Sequence, residues 1–278
     1  MAKPSEKSLR VFSAAVFGPI LLALFWFGGI PLIVGLCLML GGGTWEFYRI
    51  EKQKGLRPWT WLGIAASLTW CLAILRYQSG TLFVVLGMLF VVCFAPILVK
   101  RLETFRVRHA FSTLKGFLYV GFLGSFAYLV RNFPEFEGSE FGAALLSVTI
   151  LAGIWATDIA AYFLGRWFGK HRPFPTISPG KTEAGFVGGF LAGAAVVMAG
   201  SLVFDVIPLG VSFGLVAVVG FGSQVGDLFE SMIKREAGIK DSSRLIPGHG
   251  GILDRFDGFL FVFPLAYLYL SLLPKLTP

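Results

Sequence analysis

The chain has 278 residues, of which 55% are hydrophobic and only 14% are charged, whereas an ordinary soluble domain is about 25% charged. So few charged residues cannot cover the surface of a soluble globular domain, which excludes that class. A disordered chain is excluded as well, because it would contain few apolar residues and many charges. The composition therefore predicts a membrane protein. The net charge of +8 raises the question of a nucleic-acid partner, which the positions of the charges answer below.

Hydropathy along the chain predicts an all-α, polytopic integral membrane protein. A helix needs about 20 apolar residues to cross the hydrocarbon core, and nine segments approach that length. They are residues 11–29, 30–47, 58–76, 80–99, 110–131, 141–164, 184–204, 210–232 and 257–276. The cysteines lie in such apolar runs without CxxC spacing, so we expect small buried hydrophobes rather than disulfides or a zinc site; they are Cys37, Cys71 and Cys93.

The basic residues gather in alternate loops. The side that carries them comprises the N-terminus, 48–57, 100–109 with Lys115, 165–183 and 233–256. Only Arg76, Arg131 and Lys275 fall on the other side. The positive-inside rule then predicts a cytoplasmic N-terminus and an external C-terminus. We expect the membrane to be a bacterial-type cell (inner) membrane. Because the charges lie at a membrane surface, nucleic acid is not an expected partner.

The two halves of the chain differ in their polar content. Residues 1–140 form a predicted N-terminal membrane region with five spans. Residues 141–278 form a predicted catalytic membrane region, with four spans and two long basic cytoplasmic loops. We expect the active site to face the cytoplasm, where those loops lie.

Four carboxylates fall within predicted spans, all toward the cytoplasmic ends: Glu46, Asp158, Asp227 and Glu230. A charge inside the membrane is costly, so each is a functional candidate. A carboxylate near a helix end that simply reaches water explains Glu46 equally well, and Asp158 and Glu230 in part. Acids beside basic loops at one surface favour phosphoryl or nucleotidyl chemistry with Mg²⁺, which carboxylates hold while bases neutralise phosphate oxygens.

The loop at 165–185 contains Gly180-Lys181-Thr182, which suggests a nucleotide-binding P-loop. Pro175 stands where a Walker A motif requires glycine, and no soluble strand precedes it, so the P-loop interpretation fails. A basic loop with hydroxyl groups remains, able to contact phosphates. Alternatively, it is a positive loop that only fixes topology.

The segment 227–257 is the most informative part of the chain. Asp227, Ser231 and Lys234 share one helix face by their i, i+4, i+7 spacing. Residues 247–251 (Pro-Gly-His-Gly-Gly) cannot continue a helix, so we expect their backbone N–H groups to be available to an anion. Asp254 and Asp257 then share a face at the start of the ninth span.

The run from Ser231 to Asp257 resembles the signature of the phosphatidate cytidylyltransferases (CDP-diacylglycerol synthases). The supporting segments 158–166, 178–182 and 224–227 are similar to that family too. The resemblance is strong over about 150–260 and general in hydropathy before that. One departure is Glu183-Ala184-Gly185, where the family commonly has an aromatic and then an acidic or amide residue before the glycine.

The resemblance implies transfer of CMP from CTP to phosphatidic acid, which yields CDP-diacylglycerol and pyrophosphate. It further implies Mg²⁺, with a second cation in some members, and a homodimer surrounded by membrane lipids. By motif position, the expected metal ligands are Asp227 and Asp254.

Candidate roles follow for the other motif residues. The catalytic candidates are Asp227, Lys240, Asp241, His249, Asp254, Arg255 and Asp257. The substrate-binding candidates are Ser178, Lys181, Thr182, Ser231, Lys234, Arg235 and Arg244. The rival functions are a CTP-dependent lipid kinase and, from another class, a cation-coupled transporter that uses the intramembrane acids.

Overall fold

The computed structural model describes residues 6–76, 107–134, 139–205, 207–246, 248 and 250–273, with side chains from residue 13 onward except 75 and 76. This part of the chain is helical and contains no strand; one isolated antiparallel bridge joins Ile246 and Gly250. The helices are α1 Glu6–Phe27, α2 Gly29–Gln53, α3 Thr60–Arg76, α4 Val107–Arg131, α5 Glu140–Phe168, α6 Glu183–Phe204, α7 Leu209–Glu236 and α8 Leu253–Ser271. The predicted all-α fold class is confirmed for these residues.

Five of the described helices, α2, α4, α5, α6 and α7, are long and apolar enough to cross a membrane. Helices α1, α3 and α8 cover the predicted first, third and ninth spans. The predicted span 80–99 and Cys93 lie outside the described residues, so the count of nine stays a prediction. These helices make the chain a multi-pass membrane protein.

Of the cysteines, Cys71 is buried as expected and Cys37 is half-buried.

Contacts among the described residues group into two units. The first unit consists of the residues up to 18, residues 29–125 and residues 236–255. The second unit consists of residues 19–28, residues 126–235 and the residues from 256 onward. In the first unit, α2, α3 and the first part of α4 pack together and satisfy their polar groups internally. Thr44 Oγ1 donates to Ser67 Oγ at 3.2 Å, and Trp70 Nε1 donates to Ser125 Oγ at 2.9 Å. Such pairing is required where water cannot compete for the groups.

Helix α4 changes pitch within its length. Its residues Phe117–Phe122 are π-helical, a rare local departure from the i→i−4 hydrogen bonding of an α-helix. Tyr48 Oη donates to the Thr113 carbonyl at 2.6 Å, and a Cβ at Gly116 would overlap the Tyr48 ring. Lys115 and Gly116 interrupt the apolar run in the sequence. In the structure the helix continues through them, and the Tyr48 ring packs against Gly116.

In the second unit, α5 and α6 pack through small residues. Gly185, Gly189 and Gly193 recur every fourth position on α6, and a Cβ at Gly189 would lie 2.8 Å from the Thr157 carbonyl. Small residues at this spacing let membrane helices approach closely. Because α6 begins directly after Thr182, this packing fixes where the basic loop at 169–182 ends.

Within the second unit, the Arg131 side chain caps the C-terminal end of α1. Its guanidinium is buried and donates to the carbonyls of Phe25 at 2.7 Å and Trp26 at 3.2 Å. It also pairs with Glu140 at 3.2 Å, whose side chain is 89% exposed. A cation at the last carbonyls of a helix satisfies orphan acceptors and complements the helix dipole.

We expect Arg131→Ala to lower the thermal unfolding midpoint of the purified protein in detergent. The carbonyls of Phe25, which is buried, and Trp26 would lose charged donors, each bond contributing about 1.5–3 kcal/mol. The matched change Glu140→Gln should cost less than about 1 kcal/mol, because an exposed ion pair contributes little. Equal midpoints for the two variants would contradict this assignment.

Candidate functional site

In the second unit, Asp227 on α7 meets the basic loop that precedes α6. Lys181 Nζ lies 2.8 Å from Asp227 Oδ2 and donates to the Gln224 carbonyl at 3.2 Å. Ser231, one turn further along α7, donates to Asp227 Oδ1 at 3.3 Å. The Asp227 side chain remains 36% exposed. Two motifs that lie 46 positions apart in the sequence, at Lys181 and Asp227, are therefore brought together at one carboxylate.

The basic loop is held at its C-terminal end and at one internal position. Thr182 is the N-cap of α6, and its hydroxyl accepts a hydrogen bond from Gly185 N at 3.2 Å. Arg235 Nε donates to the Ile177 carbonyl at 3.1 Å, which ties the loop to the end of α7. Thr182 thus has a structural role as a cap, and Arg235 contacts the loop through its Nε.

Glu183 and Glu230 are both paired with a basic side chain. His171 Nδ1 lies 2.7 Å from Glu183 Oε1, and both side chains are well exposed. Glu230 is fully buried, and Lys234 Nζ lies 2.8 Å from its Oε1. The interpretation that Glu230 reaches water is therefore wrong, because the lysine one turn away covers it. The ammonium of Lys234 is held by this partner in the structure.

The start of α8 packs tightly against α7 within the second unit. A Cβ at Gly226 would overlap the Asp257 carbonyl and lie 3.0 Å from Gly258 Cα. Asp257 Oδ1 accepts a hydrogen bond from Gly258 N at 2.7 Å. Only glycine at 226 permits this approach, which explains the glycine immediately before Asp227.

In the first unit, Asp254 organises the turn that precedes α8. Its Oδ2 accepts from Ser242 N at 2.9 Å, from Ser242 Oγ at 2.9 Å and from Gly251 N at 2.8 Å. Its Oδ1 accepts a longer bond of 3.2 Å from Ser242 N. The Gly251 N–H was expected to be available to an anion, and that expectation is wrong because the N–H bonds internally to Asp254.

Glu46 of α2 binds the same turn from the other side. Among the described residues it accepts hydrogen bonds from Ser243 Oγ (2.5 Å) and Ile252 N (3.0 Å) at Oε1 and from Leu253 N (2.7 Å) at Oε2. The Ser242 hydroxyl lies 3.1 Å from Oε2 and 2.9 Å from Asp254 Oδ2, so its one proton is shared between the two carboxylates. Its side chain is completely buried. The hypothesis that Glu46 merely reaches water is therefore wrong.

The remaining predicted residues lie nearer the surface. Lys240, Asp241, Arg244 and Arg255 are exposed, as is Asp158 on α5. Ser178 and Asp257 are half-buried. His249 lies outside the described residues, so its role stays a prediction.

A sequence profile of the Cytidylyltransferase family matches residues 8–273, nearly the whole chain. The chain belongs to the cytidylyltransferase family. It is 36% identical over 273 residues to a phosphatidate cytidylyltransferase of Brucella suis, a match covering 95% of this chain and 93% of the relative. It is 33% identical over 304 residues to the enzyme of that name from Synechocystis, covering 95% and 96%. A third such relative, from Staphylococcus saprophyticus, is 34% identical over 260 residues, covering 90% and 96%.

The metal-ligating side chains of this cytidylyltransferase suit a metal ion that takes its remaining ligands from the substrate. Among the described residues, no three His, Cys, Asp or Glu side chains gather as a cage. Mg²⁺ is usually bound by one or two carboxylates together with phosphate oxygens and waters. The part-exposed Asp227, held by Ser231 and Lys181, fits such an open site.

Sequence reasoning did not find what Glu46 contacts. The available signals were an acid inside an apolar helix and the run Gly41-Gly42-Gly43 one turn before it. A Cβ at Gly42 would lie 2.5 Å from the Ile252 side chain. This run is therefore the place where the turn before α8 approaches α2.

We expect Gly251→Ala to destabilise the protein by about 1–3 kcal/mol, the usual cost of overpacking. A Cβ there would lie 2.5–2.6 Å from the Glu46 oxygens and overlap Ser242 Oγ. The thermal unfolding midpoint in detergent measures the effect. Gly210→Ala is the control, because its Cβ would meet nothing within 4 Å. If Gly251→Ala kept the midpoint of the control, the packing of Glu46 on Gly251 would be refuted.

Proposed function

We propose that this protein transfers CMP from CTP to phosphatidic acid, giving CDP-diacylglycerol and pyrophosphate in phospholipid biosynthesis. The observation that carries the proposal is similarity over nearly the whole chain to proteins named phosphatidate cytidylyltransferase. The ion pair between Lys181 and Asp227 supports it, because nucleotidyl transfer requires a carboxylate and cations at one place.

The reaction joins two anions. A phosphate oxygen of phosphatidic acid attacks the α-phosphorus of CTP, a new P–O bond forms, and the bond to the bridging oxygen of the β-phosphate breaks. Pyrophosphate leaves with the electron pair of that bond. Because the attacking phosphate is already ionised at neutral pH, no strong general base is needed, and catalysis rests on positioning and charge neutralisation.

Asp227 and Asp254 are the proposed ligands of Mg²⁺, which supplies charge neutralisation and alignment of the phosphate oxygens when bound. A second cation at these carboxylates belongs to the same proposal. Ser231 orients Asp227 by donating to its Oδ1. The hydrogen bonds from Ser242 and Gly251 fix the orientation of the Asp254 carboxylate.

Lys181 has two tasks in this proposal. Its ammonium balances the charge of Asp227 at 2.8 Å before substrate arrives. If Asp227 held a metal ion, Lys181 would be available to pair with a phosphate oxygen of the triphosphate instead. The side chain is 20% exposed, so it has access to an incoming anion.

The other cations surround the two substrates in the proposal. Lys240, Arg244 and Arg255 are exposed and suit the triphosphate or the lipid head group. Lys234 and Arg235 follow on the last turns of α7, with Ser178 and Thr182 in the basic loop. Asp241 and Asp257 complete the metal shell or orient these bases, and His249 donates to pyrophosphate.

The finer topology is part of the same proposal. The basic side of the membrane is the cytoplasm, with nine spans, a cytoplasmic N-terminus and an external C-terminus, in the inner membrane of a bacterial-type cell. Residues 141–278 are then the catalytic region, and the protein works as a homodimer. The location of Lys181, Lys234 and Arg235 at or beyond helix ends supports a site that faces cytosolic CTP.

We expect Asp227→Asn and Asp254→Asn each to lower CTP incorporation into lipid by at least about 100-fold, the cost of losing electrostatic stabilisation in a transition state. Membranes containing equal amounts of each variant are assayed with labelled CTP and phosphatidic acid. Wild-type turnover in either variant would refute the metal assignment.

Asp205→Asn is the matched control for these two changes. Asp205 is exposed at the C-cap of α6 with a φ of 49°, a left-handed conformation that asparagine also tolerates. It undergoes the same chemical change away from the proposed site, and we expect full activity.

Labelling distinguishes the proposed reaction from its rivals. Label in the α-phosphate of CTP should enter the lipid, and label in the γ-phosphate should appear in pyrophosphate. Chelation with EDTA should abolish both signals, and added Mg²⁺ should restore them. A lipid kinase would instead transfer the γ-label to lipid and release CDP, while a transporter would label no lipid.

A further inference from the structure

We propose that Glu46 is a positioning residue for the catalytic segment 242–254, a role that rests on the proposed function. The segment lies within the motif that runs from Ser231 to Asp257, and Glu46 lies almost 200 positions earlier, on α2. Glu46 acts through Asp254 and the turn before α8, and does not itself contact a reacting group in this proposal.

The four donor groups that face Glu46 come from both ends of the segment. Ser242 and Ser243 contribute side-chain hydroxyls, while Ile252 and Leu253 contribute backbone N–H groups. One carboxylate therefore closes the loop between residues 243 and 252 and fixes the register at which α8 begins. Both N–H groups belong to the start of a helix, where donors lack intrahelical partners.

Ser242 couples Glu46 to Asp254. Its hydroxyl lies 3.1 Å from Glu46 Oε2 and 2.9 Å from Asp254 Oδ2, and its backbone N–H donates to Asp254 as well. A shift of the Glu46 carboxylate therefore moves the group that orients Asp254. This coupling distinguishes Glu46 from a residue that only stabilises the fold.

Glu51, one and a half turns further along α2, provides a contrast. It is also fully buried, but it pairs with Lys54 at 3.0 Å and Lys115 at 2.8 Å. Lys54 lies in the turn after α2, where it also pairs with Glu236 at 2.6 Å, and Lys115 lies on α4. Neither of the two pairs with Glu51 involves the segment 242–254. Glu51 is thus a buried carboxylate of the same helix whose removal should affect stability and not the catalytic segment.

Glu46→Gln tests the proposal because an amide keeps the shape and loses one acceptor. Each carboxylate oxygen faces one hydroxyl and one backbone N–H. Whichever way the amide turns, its NH₂ group faces either Ile252 N–H or Leu253 N–H, and that bond is lost. The turn then moves relative to α2 although the core is not truncated.

The experiment measures kcat, KM for CTP and backbone amide hydrogen exchange in detergent for Glu46→Gln and the control Glu51→Gln. We expect kcat of Glu46→Gln to fall by about 100-fold, as for a small misplacement of catalytic groups, with kcat/KM falling equally. Exchange at Ile252 or Leu253 should accelerate by at least about 10-fold. Glu51→Gln should lower the thermal midpoint and leave kcat and this exchange unchanged.

Wild-type kcat and wild-type exchange in Glu46→Gln would overturn the proposal. So would a fall in activity that matches the loss of folded protein, because that is a purely structural effect. If the Glu46→Gln variant does not accumulate, the Ser243→Ala variant is used to test the positioning role. It removes one of the four donors and leaves the carboxylate, so faster exchange at Ile252 and a several-fold lower kcat are expected, and no change overturns the proposal.

The two proposals fail in different ways. If wild-type protein incorporates no CTP into lipid, the proposed function is wrong, whereas the exchange measurements still report whether Glu46 holds the segment. If the wild-type protein is active and Glu46→Gln is unchanged in both readouts, the positioning role alone is wrong.

Discussion

The carboxylate of Glu46 must be satisfied inside the protein, and the segment before α8 depends on how this is done. A buried charge costs several kcal/mol unless donors replace its hydration, and within the described structure Glu46 faces four neutral donors, one of which, the Ser242 hydroxyl, it shares with Asp254. Hydrogen bonds to a charged group contribute about 1.5–3 kcal/mol each, so together they offset that cost. Since all four donors belong to residues 242–253, the turn cannot leave α2 without exposing an unpaired anion.

Several small residues follow from this constraint. Glycine at 42 admits the Ile252 side chain, and glycine at 251 leaves room for the Glu46 carboxylate and the Ser242 hydroxyl. Serines at 242 and 243 supply donors without bulk. Positive φ angles at Gly248 and Gly250 then turn the chain back toward α8. The glycine-rich motif is therefore explained by packing around one anion as much as by contact with a substrate.

The sequence predicts the parts of the structure that depend on local patterns. Apolar runs predict the helices, because crossing hydrocarbon sets their length, and i, i+4 spacing predicts that Ser231 and Asp227 share a face, which the hydrogen bond between them confirms. The partners of Glu46 lie about 200 positions away, and no periodicity encodes such a contact. The internal bond of Gly251 N–H to Asp254 was missed for the same reason, since a glycine-rich turn looks alike whether its amides bind a ligand or a neighbouring carboxylate. Thr182 gives a local signal, a hydroxyl before an apolar helix, that predicts an N-cap as readily as a phosphate contact.

The carboxylates of the two units differ in whether they can exchange their partners. Glu51 is buried between two lysines, and Glu46 is buried among neutral donors from the backbone and two serines; neither can take a new partner without breaking several bonds at once. Asp227 keeps a third of its side chain exposed and is paired with a lysine from a loop. Breaking that single ion pair costs little in a solvated place, because water replaces the lost contact. Burial thus fixes the acids that hold the scaffold, whereas partial exposure leaves Asp227 able to exchange its partner.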